Sequence, residues 1–363
     1  MSTPIRPRIG ILGAGQLAQM LAQAGDAIGV EVICAGQPGD CAGLVASIVT
    51  VDLADAEQVA KFAQGVDIVT IESENIDAAV LQGLNLYPNA KAIGIAQDRL
   101  LEKRFFQSCG IGVAPFASVD SLSDLESAID TIGVPAILKT RRMGYDGKGQ
   151  VRIYAREEAV AAWGEIGGVP CILEGMVRFE AEVSLLAARN RAGDIVFYPL
   201  VRNHHSEGIL RTSIAPFVEH DLQRKAEAYI QRVLEGLGYI GVLAVEFFVV
   251  EEDLVANEMA PRVHNSGHWT IEGSVTSQFA NHLRAIIGPG QGMQLGSTDS
   301  TPTVMLNCIG SMPSEEEIST YPHLFRHDYG KEPRPGRKVG HLTFPASEVV
   351  AIRHWQQVLE KAG

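Results

Sequence analysis

Long hydrophobic runs are missing from this chain of 363 residues. Glycine and polar residues interrupt every apolar stretch before it is long enough to span a bilayer. Cysteine is scarce, with five at positions 34, 41, 109, 171 and 308 and no C-x-x-C pair. Such an odd, scattered set argues against a disulfide framework or a zinc site and fits small core residues in a reducing compartment. Positive charge is in deficit: 30 Lys and Arg stand against 43 Asp and Glu, a formal net charge of −13. That excludes bulk attraction to nucleic acid or an anionic membrane, so an anionic ligand must meet local basic patches. There is no internal repeat, no low-complexity tract, no Walker loop and no H-E-x-x-H. What is present is 46% hydrophobic and 20% charged residues, a globular composition over a length that suits two or three domains.

The opening Ile9-Gly10-Ile11-Leu12-Gly13, followed by Gln16, Gln19 and Gln23, reads as strand, turn and helix rather than a secretion signal. The expected location is the cytoplasm. Strand patterns at 8–12, 30–35, 47–51, 67–71 and 84–87 alternate with helical ones at 17–27, 56–64 and 76–81. They predict a doubly wound parallel sheet. A helix over 97–108, strands at 116–119, 136–140, 151–154 and 171–174, and helices at 122–132 and 157–163 predict a small α+β module. Strands then dominate, at 181–188, 195–200, 242–250 and 254–259, with one helix over 221–237. A last segment carries strands at 303–308 and 340–344 around a basic loop. The expected class is α/β and α+β, divided at 1–96, 97–178, 179–289 and 290–363.

The run Ala136-Ile137-Leu138-Lys139-Thr140, continued by Gly144-Tyr145-Asp146-Gly147-Lys148-Gly149-Gln150, ends an apolar strand in a lysine and a glycine-rich basic loop. Glycine lets backbone N–H groups approach phosphates, so this reads as a hairpin lid over a nucleotide. Gly13-Ala14-Gly15-Gln16-Leu17-Ala18 matches G-x-G-x-x-A between strand and helix, where an anion would be favoured. The second strand ends Cys34-Ala35-Gly36, without the acid that a dinucleotide site requires. Another anion, or simple tight-turn packing, remains open there. Glu72 and Asn75 follow a strand at its carboxyl end and suit either a polar substrate or, with Ser73, a cap. Glu246, inside an apolar strand, needs a partner. A reversal at 251–253 places Glu258 across from it on an antiparallel neighbour. Facing carboxylates call for a cation, with magnesium beside phosphates the natural one, or for salt bridges to Arg or Lys. Arg262 is a candidate clamp on a developing anion. His264 and His268 have zinc-helix spacing, but Ser266-Gly267 breaks such a helix. Lys331-Glu332-Pro333-Arg334-Pro335-Gly336-Arg337-Lys338 suits a phosphomonoester or is a solvated loop.

Taken in order, these features resemble the ATP-grasp superfamily over essentially the whole chain, and within it the ligases that carboxylate 5-aminoimidazole ribonucleotide. The most specific motifs are Gly144 to Gln150 and Asn257-Glu258-Met259-Ala260-Pro261-Arg262-Val263-His264-Asn265-Ser266-Gly267-His268. The resemblance implies an ATP-grasp fold, with a doubly wound N-terminal domain, a small hairpin-lid module and a strand-rich C-terminal part. It implies ATP and Mg2+, bicarbonate and a ribonucleotide as small-molecule partners, a carboxyphosphate intermediate and a homodimer. Neither nucleic acid nor membrane is implied. ATP contacts fall to Arg99, Lys139, residues 144–150 with Tyr145 at the tip, Glu174, Gly175, Met176, Val177, Glu182, His205, Asn257 and Glu258. The metal falls to Glu246 and Glu258. Catalysis falls to Arg262, His264, Asn265 and Tyr145, and the ribonucleotide to Gln16, Leu17, Glu72, Asn75, Lys331, Arg337 and Lys338. The chain departs from the wider superfamily at Ala260, where an Asn ligand is common, and at Ser266, where related carboxylases carry a glutamate. A formate-dependent glycinamide ribonucleotide transformylase is the nearest alternative, and an NAD-dependent dehydrogenase the alternative from another class.

Overall fold

The computed structural model describes residues 6–144 and 148–362. Three sheets account for the strands. The first holds β1 (Arg8–Leu12), β2 (Glu31–Gly36), β3 (Ser47–Thr50) and β4 (Ile68–Ile71), in the order β3-β2-β1-β4. All three pairings are parallel, as the alternation of strand and helix predicts. The order reverses at β1, so the crevice beyond the carboxyl ends of β1 and β4 is where a ligand belongs in such a sheet. The expected strand at 84–87 is instead a single bridge, Val69 to Leu86, with Pro88 ending it. The expected helix at 76–81 is a 3₁₀ turn, Ala78–Leu81, capped by Asp77 on the Ala79 N–H.

The second sheet holds β5 (Phe116–Val119), β6 (Ala136–Thr140), β7 (Gln150–Ile153) and β8 (Cys171–Gly175), in the antiparallel order β5-β8-β6-β7. Helices Leu122–Ile132 and Ala159–Glu165 cover one face of it around Leu125, Ile129, Leu138 and Leu173.

The third sheet has nine strands: β9 (Ala181–Arg189), β10 (Ile195–Phe197), β11 (Val201–Ser206), β12 (Ile209–Ala215), β13 (Gly241–Val250), β14 (Asp253–Ala260), β15 (Thr303–Ile309), β16 (Phe325–Asp328) and β17 (Lys338–Pro345). Their order is β14-β13-β9-β11-β12-β15-β17-β16, with β10 on β9, so the last segment extends the same sheet. Helix His220–Leu237 buries Leu222, Ala226, Ile230, Val233, Leu234 and Leu237, an apolar stripe at helical spacing, and ends at Gly238 with φ 56°. Each large side chain on that stripe contributes roughly 1.5–3 kcal/mol.

The first sheet is joined to the third through helix Gln16–Ala27, which packs on helix Gln278–Ile287 in one core with Leu21, Leu186, Ala244 and Leu283. Thr70 Oγ1 and His282 Nε2, 2.8 Å apart, fasten the same junction. The predicted helix over 97–108 starts later, at Arg99, because Asp98 Oδ1 accepts the N–H groups of Leu100 and Leu101. A separate helix, Ala90–Ala96, precedes it. The chain ends in helix Val349–Ala362, which seats Trp355 against β15 and β17.

Candidate active site

At the topological switch, the turn after β1 meets Glu72 after β4. The Glu72 carboxylate accepts the Gly15 N–H at 2.6 Å and the Ala18 N–H at 3.1 Å. The anion at this helix N-terminus is therefore the chain's own. A Cβ on Gly13 would lie 2.4 Å from Glu72 Cγ, so glycine is what lets the carboxylate in. Burial pushes the Glu72 carboxyl up, against the two N–H groups and Lys331. This corrects the dinucleotide reading, since a pyrophosphate would meet a carboxylate in the turn. The Leu17 side chain is buried in the core, which leaves only its backbone to meet a ligand. Ser73 Oγ accepts the Asn75 N–H at 3.2 Å, which is a turn cap and not a helix cap.

Gln16 and Lys331 are hydrogen-bonded across the crevice. Burial lowers the Lys331 ammonium, and Arg337 and Arg334 add to this by like charge. Glu72 opposes that shift. Gln16, Glu72 and Lys331 thus come together, with Arg337 near enough for its charge to be felt.

Beside this crevice lies a cavity of about 880 Å³, lined by the second and third sheets and by residues 73–75 after β4. Lys139 ends β6 there, and its Nζ is 2.9 Å from Glu174 Oε2. Lys103 approaches the same oxygen at 3.5 Å. Burial raises the Glu174 carboxyl, but Lys139 and Lys103 outweigh it and hold the value down to about 2. The Glu174 side chain thus belongs to the lysines, and its buried Oε1 has no partner among the described residues. An amino donor of a ligand would satisfy it. The loop beyond β6 is rooted by Arg99, which donates to the Thr140 carbonyl at 2.9 Å and the Gly144 carbonyl at 3.1 Å. Gly149, at φ 69°, sits where a Cβ would be 2.7 Å from Thr140 Oγ1. Tyr145, Asp146 and Gly147 lie outside the described residues.

Glu246 on β13 pairs with Glu258 on β14 as expected, although the reversal is shorter than the expected 251–253, since Asp253 already pairs with Val250. A bulge leaves Asn257 unpaired between the pairs Glu246–Glu258 and Phe247–Ala256. The extra residue breaks the alternation, and Asn257 and Glu258 both line the cavity. Burial raises Glu246 to about 7; His205 lowers it, while Glu258 and Glu182 raise it further. His205 Nδ1 is 2.8 Å from Glu182 Oε2. Burial would lower the imidazole, but Glu182, Glu246 and Glu258 push it up to about 9. Three carboxylates around one imidazolium leave a surplus of negative charge. Among the described residues no group of three or more His, Cys, Asp and Glu forms a complete metal cage. Two glutamates on one cavity nevertheless fit magnesium, which binds through one or two carboxylates and takes other oxygens, such as water or phosphate, besides.

Arg262 lies just past β14. Its Nε and Nη2 donate to the two oxygens of Glu74 at 2.5 and 3.1 Å, and its Nη1 to the Val263 carbonyl at 3.1 Å. Burial pushes His264 well below its usual range, with Arg262 and Lys338 in support, so it is neutral. Its Nδ1 lies 2.9 Å from Ser266 Oγ and 3.3 Å from the Ser266 nitrogen, and its Nε2 is 3.8 Å from Glu246 Oε1. Both amide atoms of Asn265 are buried without a partner.

The cavity therefore gathers Lys139, Glu174, His205, Glu246, Glu258 and Arg262. Gln16, Glu72 and Lys331 form the adjoining crevice. The sequence reading missed Glu74, which stands one residue from two that it singled out. It also missed Glu102 and Lys103, both buried in helix Arg99–Ser108, where Glu102 accepts the Met259 N–H at 2.6 Å. A buried charged pair at helical positions was the only signal for these.

Three families match successive parts of the chain. They are the ribonucleotide synthetase preATP-grasp domain at residues 7–97, the ATP-grasp domain at 104–279, and the phosphoribosylaminoimidazole carboxylase C-terminal domain at 303–354. The N5-carboxyaminoimidazole ribonucleotide synthase of Pseudomonas aeruginosa is 46% identical over 95% of this chain and 96% of its own length. The crystal structure of the corresponding synthetase from Thermus thermophilus superposes with a TM-score of 0.90 at 48% identity, covering 98% of both chains. The synthase of Aspergillus clavatus, solved with ADP and 5-aminoimidazole ribonucleotide, superposes with a TM-score of 0.86 at 26% identity over 98% of both chains.

Proposed function

The chain belongs to the N5-carboxyaminoimidazole ribonucleotide synthase family of ATP-grasp ligases, and from that membership we propose how its residues divide the work. The reaction is the ATP-dependent carboxylation of 5-aminoimidazole ribonucleotide in purine biosynthesis. The observation that carries the site reading is one cavity of about 880 Å³ with Lys139, His205, Glu246, Glu258 and Arg262 on its walls, next to the Gln16–Lys331 crevice.

In this reading Lys139, His205 and the residues after β6 bind the ATP phosphates, with Arg99 fixing the root of that loop. The backbone of Gly175 to Val177 faces adenine. Glu246 and Glu258 hold Mg2+, which when bound neutralises phosphate charge and orients the γ-phosphate for attack. Bicarbonate attacks that phosphorus and ADP leaves. Arg262, already aimed by Glu74, neutralises the resulting carboxyphosphate, with the His264 imidazole and the Asn265 amide supplying further donors. Lys331, Arg337 and Lys338 bind the ribonucleotide phosphate opposite Gln16. Asn75, on the cavity wall, orients the imidazole so that its exocyclic amine attacks the carboxyl carbon, the C–O bond to the phosphoryl group breaks, and inorganic phosphate leaves with the amine proton. Tyr145 excludes water from the intermediate. The divisions at 1–96, 97–178, 179–289 and 290–363 belong to the same reading, and the continuity of β15–β17 with β9–β14 supports packing of the last on the third. A cytoplasmic homodimer belongs to the same reading. Separately, no described helix is long and apolar enough to cross a membrane.

The test is ADP release with and without 5-aminoimidazole ribonucleotide and bicarbonate. Turnover should require both. Stimulation by formate and glycinamide ribonucleotide instead would overturn the assignment.

A further inference from the structure

We infer that Lys103, which no ligand can reach, sets the charge of the phosphate subsite by holding Glu174 so that Lys139 stays available to ATP. The inference rests on the reading of Lys139 as a phosphate ligand.

Glu174 Oε2 lies between two ammonium groups, 2.9 Å from Lys139 and 3.5 Å from Lys103. Their exposure separates their tasks. The Lys139 side chain is 14% exposed and borders the cavity, whereas that of Lys103 is 2% exposed. Lys103 also donates to the Asn257 carbonyl at 2.8 Å and the Ala256 carbonyl at 3.4 Å, the bulged stretch just before Glu258. It is therefore a positioning residue that touches both the lysine side and the metal side of the cavity without facing it.

Charge makes the argument. One carboxylate between two ammonium groups leaves a surplus of one positive charge for an incoming phosphate. Without Lys103, Lys139 and Glu174 would neutralise each other. Moreover, if Lys139 then turned to a phosphate, Glu174 would remain as a buried, unpaired carboxylate close to a polyanion, a costly arrangement. Lys103 keeps Glu174 paired throughout. Burial lowers the Lys103 ammonium and Lys139 adds to that, while Glu174, Glu102 and Glu258 oppose both. Glu102 is itself pushed up to about 8 by burial and Glu258.

This predicts a rescue that a purely structural role does not. Removing the Lys103 charge should weaken ATP, and removing the Glu174 charge as well should restore the surplus on Lys139. Affinities for ATP and for adenosine are measured by calorimetry on the full chain as native protein, Lys103→Met, Glu174→Gln, the double variant and Lys139→Met. Lys103→Met should weaken ATP by about tenfold or more while adenosine changes by less than about twofold. The double variant should recover most of the ATP affinity. ATP affinity unchanged in Lys103→Met, or an equal loss in the double variant, would overturn the inference. If Lys103→Met does not fold, the double variant decides alone, since replacing both members of a buried pair is tolerated. Its ATP affinity should then stay near native, and a loss as large as that of Lys139→Met would sink the idea. Unchanged ATP affinity in Lys139→Met would instead remove the site reading beneath it.

Discussion

Arg262 and Glu74 join the third sheet to the first through a two-pronged ion pair, at 2.5 and 3.1 Å, between residues 188 positions apart. With Nη1 also bonded, the guanidinium is held in place before any ligand arrives. Burial raises the Glu74 carboxyl, but Arg262 outweighs it and keeps the acid ionised. Preorganisation of this kind acts on the chemical step more than on nucleotide binding. Glu74→Ala should therefore lower kcat by about 10–100-fold, the loss expected for ~1.5–3 kcal/mol of charge-assisted hydrogen bonding, with the ATP Kd little changed. Glu74→Gln, which keeps one acceptor, should lose less. Steady-state kinetics beside ATP calorimetry check this, and a loss confined to ATP binding would refute it.

The facing pair Glu246 and Glu258 makes a second prediction. Glu258→Gln removes one of the two carboxylates that suit the cation. ATP turnover should fall by about 10²–10³-fold and the half-saturating Mg2+ concentration should rise. Adenosine affinity should hold. A magnesium titration of initial rates measures this, and an unaltered magnesium dependence would argue for salt bridging instead.

That the two strands are antiparallel neighbours was legible, but the reversal is only Glu251 and Glu252, which by itself would set Glu246 opposite Asn257; the bulge is what brings Glu258 opposite. The bulge at Asn257 was not legible, since one extra residue leaves no mark in an apolar strand pattern. The Gly13–Ala18 turn was read as open between a ligand's anion and tight-turn packing, and the carboxylate that fills it is Glu72, 57 positions from Gly15. Nothing local announces a partner so distant. The same holds for Glu74 and Lys103, whose roles depend on β14 and β8 arriving beside them. The final helix is a different kind of omission. Ala351, Ile352, Trp355 and Leu359 are buried at helical spacing, so its signal was present in the sequence.

The His205–Glu182 pair predicts a pH dependence of stability. The imidazole rises from 6.5 to about 9 in the folded chain, where Glu182, Glu246 and Glu258 outweigh burial. A folded value above the unfolded one means that the contribution is complete below 6.5 and is lost as pH rises towards 9. The ligand-free protein should lose roughly 1–3 kcal/mol of stability across that window from this pair. His205→Gln should flatten that part of the curve. Glu246, raised from 4.5 to about 7, acts in the same direction but in a lower window, so the two separate. Denaturant midpoints measured from pH 5 to 9 would show it (a range of roughly two units on either side of neutrality), and a native slope retained in His205→Gln would refute it.

Lys331 offers a test of the crevice apart from the cavity. Its ammonium meets Gln16 and lies near Glu72, Arg334 and Arg337, off the cavity wall that carries Lys139. Lys331→Ala should raise KM for 5-aminoimidazole ribonucleotide by about 10–100-fold, the scale of a charge-assisted phosphate contact, and leave the ATP Kd within about twofold. Product formation at varied ribonucleotide measures the first and calorimetry the second. Equal damage to both would mean that the basic loop does not separate the two ligands.

Gly13 tests whether Glu72 is the anion of the first turn. A Cβ there would sit 2.4 Å from Glu72 Cγ, on backbone at φ 115°. Gly29 provides the control, since its φ is 75° and a Cβ would meet nothing within 4 Å. Gly29→Ala therefore carries backbone strain alone, about 1 kcal/mol. Gly13→Ala adds displacement of the carboxylate from the Gly15 and Ala18 N–H groups, for a loss of about 2–4 kcal/mol. Because Glu72 faces the Gln16–Lys331 contact, Gly13→Ala should also raise the ribonucleotide KM, which Gly29→Ala should not. Denaturant midpoints and KM values of the two variants decide it: matching losses and matching KM values would leave Glu72 no part in shaping the crevice.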